Sequence, residues 1–168
     1  FAEGVRGSLS KEIIKTYKLD KNCSPQKYAI GIKELWKIDK TNHNPGLVVH
    51  SQGWPLSGDA SGGSWMYHFD DDLVSIGFVV NLDYSNPYLS PYDEFQRFKH
   101  HKSIKGYLLN GKRISYGARA INEGGLQSVP KLSFPGGCLI GCSAGFVNVP
   151  RIKGTHNAMK TGMLAAEA

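Results

Sequence analysis

The residues best suited to chemistry lie near the end of the chain, in "CLIGCSAGFVNVPRIKGTHNAMKTGMLAAEA", Cys138 to Ala168. A short apolar run enters a loop, Gly141, Cys142, Ser143, Ala144 and Gly145, almost stripped of side chains, where the backbone can pass very close to a ligand. From about Thr155 apolar and small residues recur at helical spacing, so the unpaired N–H groups and the positive dipole end of a helix point back at that loop. Such a pairing stabilises an anion or an electron-rich ring. Ala158, Gly162 and Ala165 share one helical face and let the helix lie close to its neighbours. A helix merely packed on a sheet accounts for the pattern equally well.

Other reactive side chains are less informative. The three cysteines, Cys23, Cys138 and Cys142, make an odd count, which argues against a secreted disulfide framework and for a reducing compartment. Cys138 and Cys142 are spaced CxxxC, but no third ligand follows at metal spacing, so no metal site is predicted. His100 and His101 sit among Lys99 and Lys102 and read as a solvated, basic helix end, while His43, His50 and His68 have no partner at metal spacing. His156 alone stands where it could touch a ligand, and a packing role fits it as well.

The net charge is +6, and the excess gathers between Arg97 and Arg119, where Arg97, Lys99, Lys102, Lys105, Lys112, Arg113 and Arg119 meet no acidic residue in sequence. A basic face of this kind suits an anionic membrane surface or an acidic protein, or is simply solvated. Nucleic acid is not expected, because "RFKHHKSIKG" matches no recognition motif.

The elements that must hold these residues read as follows. Ser8 caps a short helix through Lys18, with Ile13, Ile14 and Tyr17 on its apolar side. Tyr28 to Ile38 reads as a strand with Leu35 out of phase, and Gly46 to Ser51 as another. In "GGSWMYHFDDDLVSIGFVVNLD" Trp65, Tyr67 and Phe69 alternate, three aspartates turn the chain, and Val74, Ile76, Phe78 and Val80 alternate back, which predicts a hairpin. Ser90 as N-cap with Pro91 behind it starts a helix that turns Phe95 and Phe98 to the core. "KRISYGARA" reads as a strand, and Cys138 to Gly141 as a buried parallel strand. Leu132 to Pro150 is uncharged, but its Gly and Pro residues exclude a membrane span.

At 168 residues the chain can bury a core. "FAEG" reads as the tail of a strand and "GMLAAEA" stops inside a helical pattern, so an internal fragment of a longer protein is expected. A β-rich middle flanked by α/β-like pieces suggests an insertion into a nucleotide-binding fold.

The stretches "FAEGVRGSLSKEI", "GWPLSGDASGGSWMYHF", "GFVVNLDYSNPYLSPYDEFQRFKHH" and "GKRISYGARAINEGGLQSVPKLSFPGGCLIGCSAGFVNVPRIKGTHNAMKTGMLAAE" resemble the electron transfer flavoprotein:ubiquinone oxidoreductase family over nearly the whole chain. The resemblance implies an α/β, glutathione-reductase-like FAD-binding fold, here partial, with an inserted β-rich ubiquinone-binding domain. It places partial FAD-binding domain at 1–23, the ubiquinone-binding domain at 24–120 and a further FAD-binding piece at 121–168. It implies FAD contacts at Gly141, Cys142, Ser143, Ala144, Gly145, Gly154, Thr155, His156 and Asn157, with Cys142 where related flavoproteins place an acid. Gly62 and Gly63 are marked as the ubiquinone contact, with apolar walls from Trp54, Trp65 and Met66. Backbone N–H groups unshielded by side chains suit a quinone carbonyl. The same resemblance implies an electron-transferring-flavoprotein dehydrogenase with electron transfer flavoprotein as donor and ubiquinone as acceptor. It implies a [4Fe-4S] cluster with ligands outside this chain, and a monotopic place on the matrix side of the mitochondrial inner membrane or on a bacterial cytoplasmic membrane. Neither the G-x-G-x-x-G fingerprint nor a four-cysteine set is present. The alternatives are a geranylgeranyl-reductase-type flavoprotein and a non-catalytic membrane-surface module.

Overall fold

A computed structural model describes all residues, Phe1–Ala168. The chain forms two compact units, one of Phe1–Ala29 with Ala120–Ala168, the other of Ile30–Arg119.

The Ile30–Arg119 unit is built on a five-stranded sheet. Its strands are β1 (Tyr28–Lys37), β2 (Val48–Gln52), β3 (Gly62–Phe69), β4 (Leu73–Asn81) and β5 (Lys112–Asn122), in the order β2-β3-β4-β1-β5. The expected hairpin forms: β3 and β4 pair antiparallel with Trp65 opposite Gly77 and Met66 opposite Ile76, and Asp70 takes a positive φ of 50° in the turn between them. Val74, Ile76, Phe78 and Val80 are buried as their alternation predicts. On β3 the buried set is Ser64, Met66 and His68, so Trp65 and Tyr67 lie on the outer face. Met66 is therefore core, not the wall of a ligand site.

Helix α2 (Pro91–Lys99) covers this core. Ser90 Oγ accepts from Asp93 N–H, Pro91 opens the first turn, and Phe95 and Phe98 stack on Phe78 with centroids 6.3 and 5.6 Å away. A second helix that the sequence reading passed over, α3 (Lys102–Leu108), follows at once and buries Ile104. His101, read above as a helix end, is its N-cap, with Nδ1 accepting from Ser103 N–H.

Where β1 breaks its alternation the structure buries a carboxylate. Glu34 is 2% exposed; its Oε2 accepts from Lys99 Nζ at 2.7 Å and Trp36 Nε1 at 2.8 Å, and Oε1 from Arg113 Nη1 at 3.0 Å. The Lys99 ammonium also lies over the Trp36 and Phe95 rings. Burial disfavours the charged carboxylate, but the hydrogen bonds from Lys99, Trp36 and Arg113 overcome it and hold the group below the usual carboxylate range. The run of cations from Arg97 to Arg119 is thus partly neutralised in three dimensions: Glu34 takes Lys99 and Arg113, and Glu94 takes Arg97 at 2.9 Å. Lys102, Lys105, Lys112 and Arg119 keep no ion-pair partner.

In the other unit, α1 (Ser8–Tyr17) starts one residue after Gly7, which takes the cap position expected of Ser8. The capping group comes from Glu3, whose Oε2 accepts from both Ser10 N–H and Ser10 Oγ at 2.7 Å, holding the carboxyl below its ordinary range. A side chain on Gly7 would overlap Glu3, so the acid and the glycine of "AEGVRG" are one device. Phe1 N donates to Cys138 O and Phe1 O accepts from Ile140 N–H, the hydrogen-bond pattern of a parallel pair. The expected parallel strand is nonetheless short. Gly137–Cys138 (β7) pairs antiparallel with Ser133–Phe134 (β6), and only Leu139 continues buried before the chain turns. The small core joins Leu19, Leu139 and Ala144, flanked by Ile13, Ile14, Leu132, Phe134 and Phe146. Helix α4 (Thr155–Glu167) closes the chain. No helix is long and apolar enough to cross a membrane.

Removing the Glu34 carboxylate tests the buried cluster. Glu34→Ala leaves the Lys99 ammonium, 11% exposed, without its counter-charge, and a loss of about 3–5 kcal/mol is expected from urea unfolding. Because the folded pKa of Glu34 is lowered, its contribution is present above the unfolded carboxylate value and fades as pH falls through the folded one. Glu34→Gln should flatten that acid limb of the stability profile.

Candidate functional site

The loop and helix singled out in sequence come together. Gly141–Ser143 form a single 3₁₀ turn, and Gly141 and Gly145 take positive φ values of 56° and 84°, which residues with side chains adopt only under strain. A Cβ on Gly141 would stand 3.3 Å from Ala158 Cβ, and one on Gly154 3.7 Å from Cys142 Sγ, so the loop lies against the first turns of α4. Thr161 ties the two: its Oγ1 accepts from Gly141 N–H at 3.0 Å and donates to Asn157 O at 2.8 Å. Sequence reasoning missed Thr161, although its place four residues after Asn157 was a signal for it. Gly162, expected on the tight face, looks into open space.

Several loop amides are used internally: Ala144 and Phe146 donate to Gly141 O and Gly145 to Cys142 O. The first intrahelical bond of α4 runs from Ala158 N–H to Gly154 O, which leaves the amides of Thr155, His156 and Asn157 without a helical acceptor. Burial pushes the Cys142 thiol up, so it stays neutral beside those donors. A neutral thiol adds no negative charge where an anionic group would approach.

Beside this loop the same unit holds a cleft of about 620 Å³, lined among others by Gly4, Ser10, Gln26, Asn122, Ser143 and Gly145. Lys11 and Lys15 reach it from one face of α1, and Lys18 from the left-handed C-cap of that helix. Asn122 Oδ1 is buried there with no hydrogen-bond partner. The three lysines share this cleft with Ser143, Ala144 and Gly145, whereas the Cys142 thiol and the Thr155, His156 and Asn157 amides are not part of its lining. No group of three His, Cys, Asp or Glu side chains converges anywhere; Cys23 is turned away, its Sγ on Val129 O at 3.0 Å.

Gly62 and Gly63 open β3 in the other unit. Each has a packing reason to be glycine: a Cβ on Gly62 would overlap Val79 O of β4, and one on Gly63 would come within 2.7 Å of Ser51 O of β2. Neighbouring strands press on this pair from two sides. The outer face of β3 continues through Trp65 and Tyr67, with Gln52 opposite Gly63 and His50 opposite Trp65 on β2. The Trp65 indole lies across Gly77, where a Cβ would overlap the ring. Trp54 is half exposed and its ring meets His101 at 4.8 Å.

The fold superposes on solved structures of low sequence identity. A geranylgeranyl bacteriochlorophyll reductase-like protein from Thermoplasma acidophilum superposes with a TM-score of 0.71 at 17% identity, over 99% of this chain and 38% of that one. The flavin-dependent brominase Bmp2 superposes with a TM-score of 0.60 at 19% identity, over 99% and 40%. The sequence is more specific: residues 28–121 match the family model described as "ETF-QO, ubiquinone-binding", and the chain belongs to that family. It is 62% identical to the mitochondrial electron transfer flavoprotein-ubiquinone oxidoreductase of Homo sapiens and 58% identical to the counterpart in Pseudomonas aeruginosa, in each case over the whole of this chain. The chain spans 28% and 30% of the length of those relatives.

The close approach at the glycine pair makes a clear stability prediction. Gly62→Ala should lower the unfolding free energy measured in urea by about 1–3 kcal/mol, because β4 backbone must move. Gly106→Ala, in open space within α3, should leave stability unchanged or raise it by up to about 1 kcal/mol.

Proposed function

We propose that the chain is the quinone-binding region, with part of the FAD-binding region, of an enzyme that takes electrons from reduced electron transfer flavoprotein and reduces ubiquinone. The observation that carries this reading is the match of residues 28–121 to a ubiquinone-binding family over the stretch that folds as a unit of its own, Ile30–Arg119. In this organisation a ubiquinone-binding domain, 24–120, is inserted between FAD-binding pieces 1–23 and 121–168.

The amides of Cys142 and Ser143 with those of Thr155, His156 and Asn157 would hold FAD, with Gly141, Ala144, Gly145 and Gly154 keeping side chains out of its way. When bound, FAD supplies the electron chemistry between the donor protein and the quinone. The chain's own part is to orient and to set the local field. The α4 N-terminus favours negative charge at the ring, which makes reduction easier. Thr161 keeps the loop on the helix. Gly62 and Gly63 would keep side chains out of the way of a quinone, and Trp65 would give it a flat apolar surface beside them. A [4Fe-4S] cluster, held by cysteines outside this chain, completes the electron route. Lys102, Lys105, Lys112 and Arg119 suit the anionic lipid of the mitochondrial inner membrane, matrix side, or of a bacterial cytoplasmic membrane.

A visible spectrum of the full-length protein tests the reading. Flavin bands that bleach on adding reduced donor protein and return on adding ubiquinone are expected; a colourless protein contradicts it. Gly145→Val, which forces a branched side chain into a positive φ, should lower flavin content several-fold. Lys102→Glu with Lys105→Glu should weaken binding to vesicles of anionic lipid at low salt, with the difference shrinking as ionic strength rises.

A further inference from the structure

We infer that the His50–Tyr67 pair delivers a proton to the quinone; this rests on the placement of the quinone at Gly62, Gly63 and Trp65 proposed above. Turning a quinone into a quinol takes two electrons and two protons. The redox centres named above bring the electrons, so the protons must come through side chains or water at the quinone site.

The register of the sheet limits the choice. Gly63, Trp65 and Tyr67 alternate onto the outer face of β3, and His50 lies directly opposite Trp65 on β2. Two residues along a strand cover roughly 7 Å, so Gly63 and Tyr67 flank the indole at about that distance on either side. A quinone ring resting on Trp65 with one carbonyl at the glycine pair turns its other carbonyl toward Tyr67. There Tyr67 Oη and His50 Nε2 are hydrogen-bonded at 3.1 Å, with the rings edge to face at 5.4 Å. His50 is exposed and exchanges protons with water, whereas Tyr67 is half-buried.

The other histidines of the unit are placed for different work. His68 faces the core at 3% exposure, its Nδ1 accepts from Asn44 N–H, and burial with the neighbouring His43 keeps it neutral. His43 bonds Leu73 O through Nε2. His101 caps α3. On the outer face of β3 only the His50–Tyr67 pair joins a group that exchanges with water to one beside the indole.

The step balances as follows. As two electrons reach the quinone, the Tyr67 O–H bond breaks and its proton forms an O–H bond at the near quinone oxygen. The Nε2–H of protonated His50 then gives its proton back to the phenolate oxygen, and His50 is reprotonated from water. The far oxygen takes the second proton from solvent, and the quinol leaves.

Full-length, flavin-loaded enzyme with Tyr67→Phe and with His50→Ala tests the assignment. Tyr67→Phe should cut kcat for ubiquinone reduction by ~100-fold or more, with KM for quinone unchanged, flavin reduction by the donor protein unchanged, and a larger solvent deuterium effect. His50→Ala should fall in the same direction and recover in part on adding imidazole. The Trp65→Leu variant reports on the underlying site: a raised KM for quinone supports it. If Trp65→Leu raises KM while both proton variants keep parental kcat, the proton assignment is overturned and the site stands. A loss of kcat with no imidazole rescue and no change in the solvent effect assigns the pair a structural role and overturns it too. An unchanged KM in folded Trp65→Leu overturns the site reading itself, and this inference with it.

Discussion

The rest of the structure depends on one pairing: β1 and β5, the strands through which the chain leaves one unit and returns to it, are hydrogen-bonded neighbours in the sheet. Glu123 N–H donates to Lys27 O at 2.8 Å just beyond one end of the pair, and Gly111 abuts Lys37 at the other, so the two run antiparallel. The ends of the Ile30–Arg119 unit are therefore held side by side. That lets segments far apart in sequence close the second unit, where Phe1 pairs with Cys138 and Ile140 and Ser143 Oγ donates to Gly4 O at 3.3 Å. Each unit keeps its own core.

Glu34 performs the corresponding task inside the Ile30–Arg119 unit. One buried carboxylate engages Lys99 from α2 and Arg113 from β5, so a single charge on β1 fixes the helix layer and the edge strand together. Desolvating Glu34 and Lys99 is costly, and the arrangement persists because each carboxylate oxygen is matched by a donor, one of them from the more exposed Arg113. It also removes two cations from the basic run, so the charge available to a partner is carried by Lys102, Lys105, Lys112 and Arg119 rather than by the whole stretch.

Local signals in the sequence carried much of this. Ser90–Pro91, the Asp70–Asp72 turn and the alternation of Val74 to Val80 are self-contained, and the helix from Thr155 needs only its own spacing. Other features depend on partners far away in the chain. An alternating strand has two faces, and the aromatic set on β3 turned outward because Phe78, Phe95 and Phe98 fill the inner side and leave room there for Met66. Glu34 carries no local signal of its burial because its partners Lys99 and Arg113 lie 65 and 79 positions away. α3 carries Gly106 in seven residues and has little helical signature of its own. The loop Gly141–Gly145 and the helix packed on it were legible from residue type and spacing. Gly62 and Gly63 carry a double signal: strand crowding and ligand contact call for the same residue, and residue type alone does not separate them.

The central claim is that this unit holds the quinone on the outer face of β3. Photolabelling the full-length enzyme with an azido-ubiquinone, followed by peptide mapping, addresses that placement directly. Label concentrated on the peptide spanning Gly62 to Tyr67, and competed away by unmodified ubiquinone, is the predicted result. Competable label confined to peptides outside Ile30–Arg119, with this peptide clean, would contradict the account.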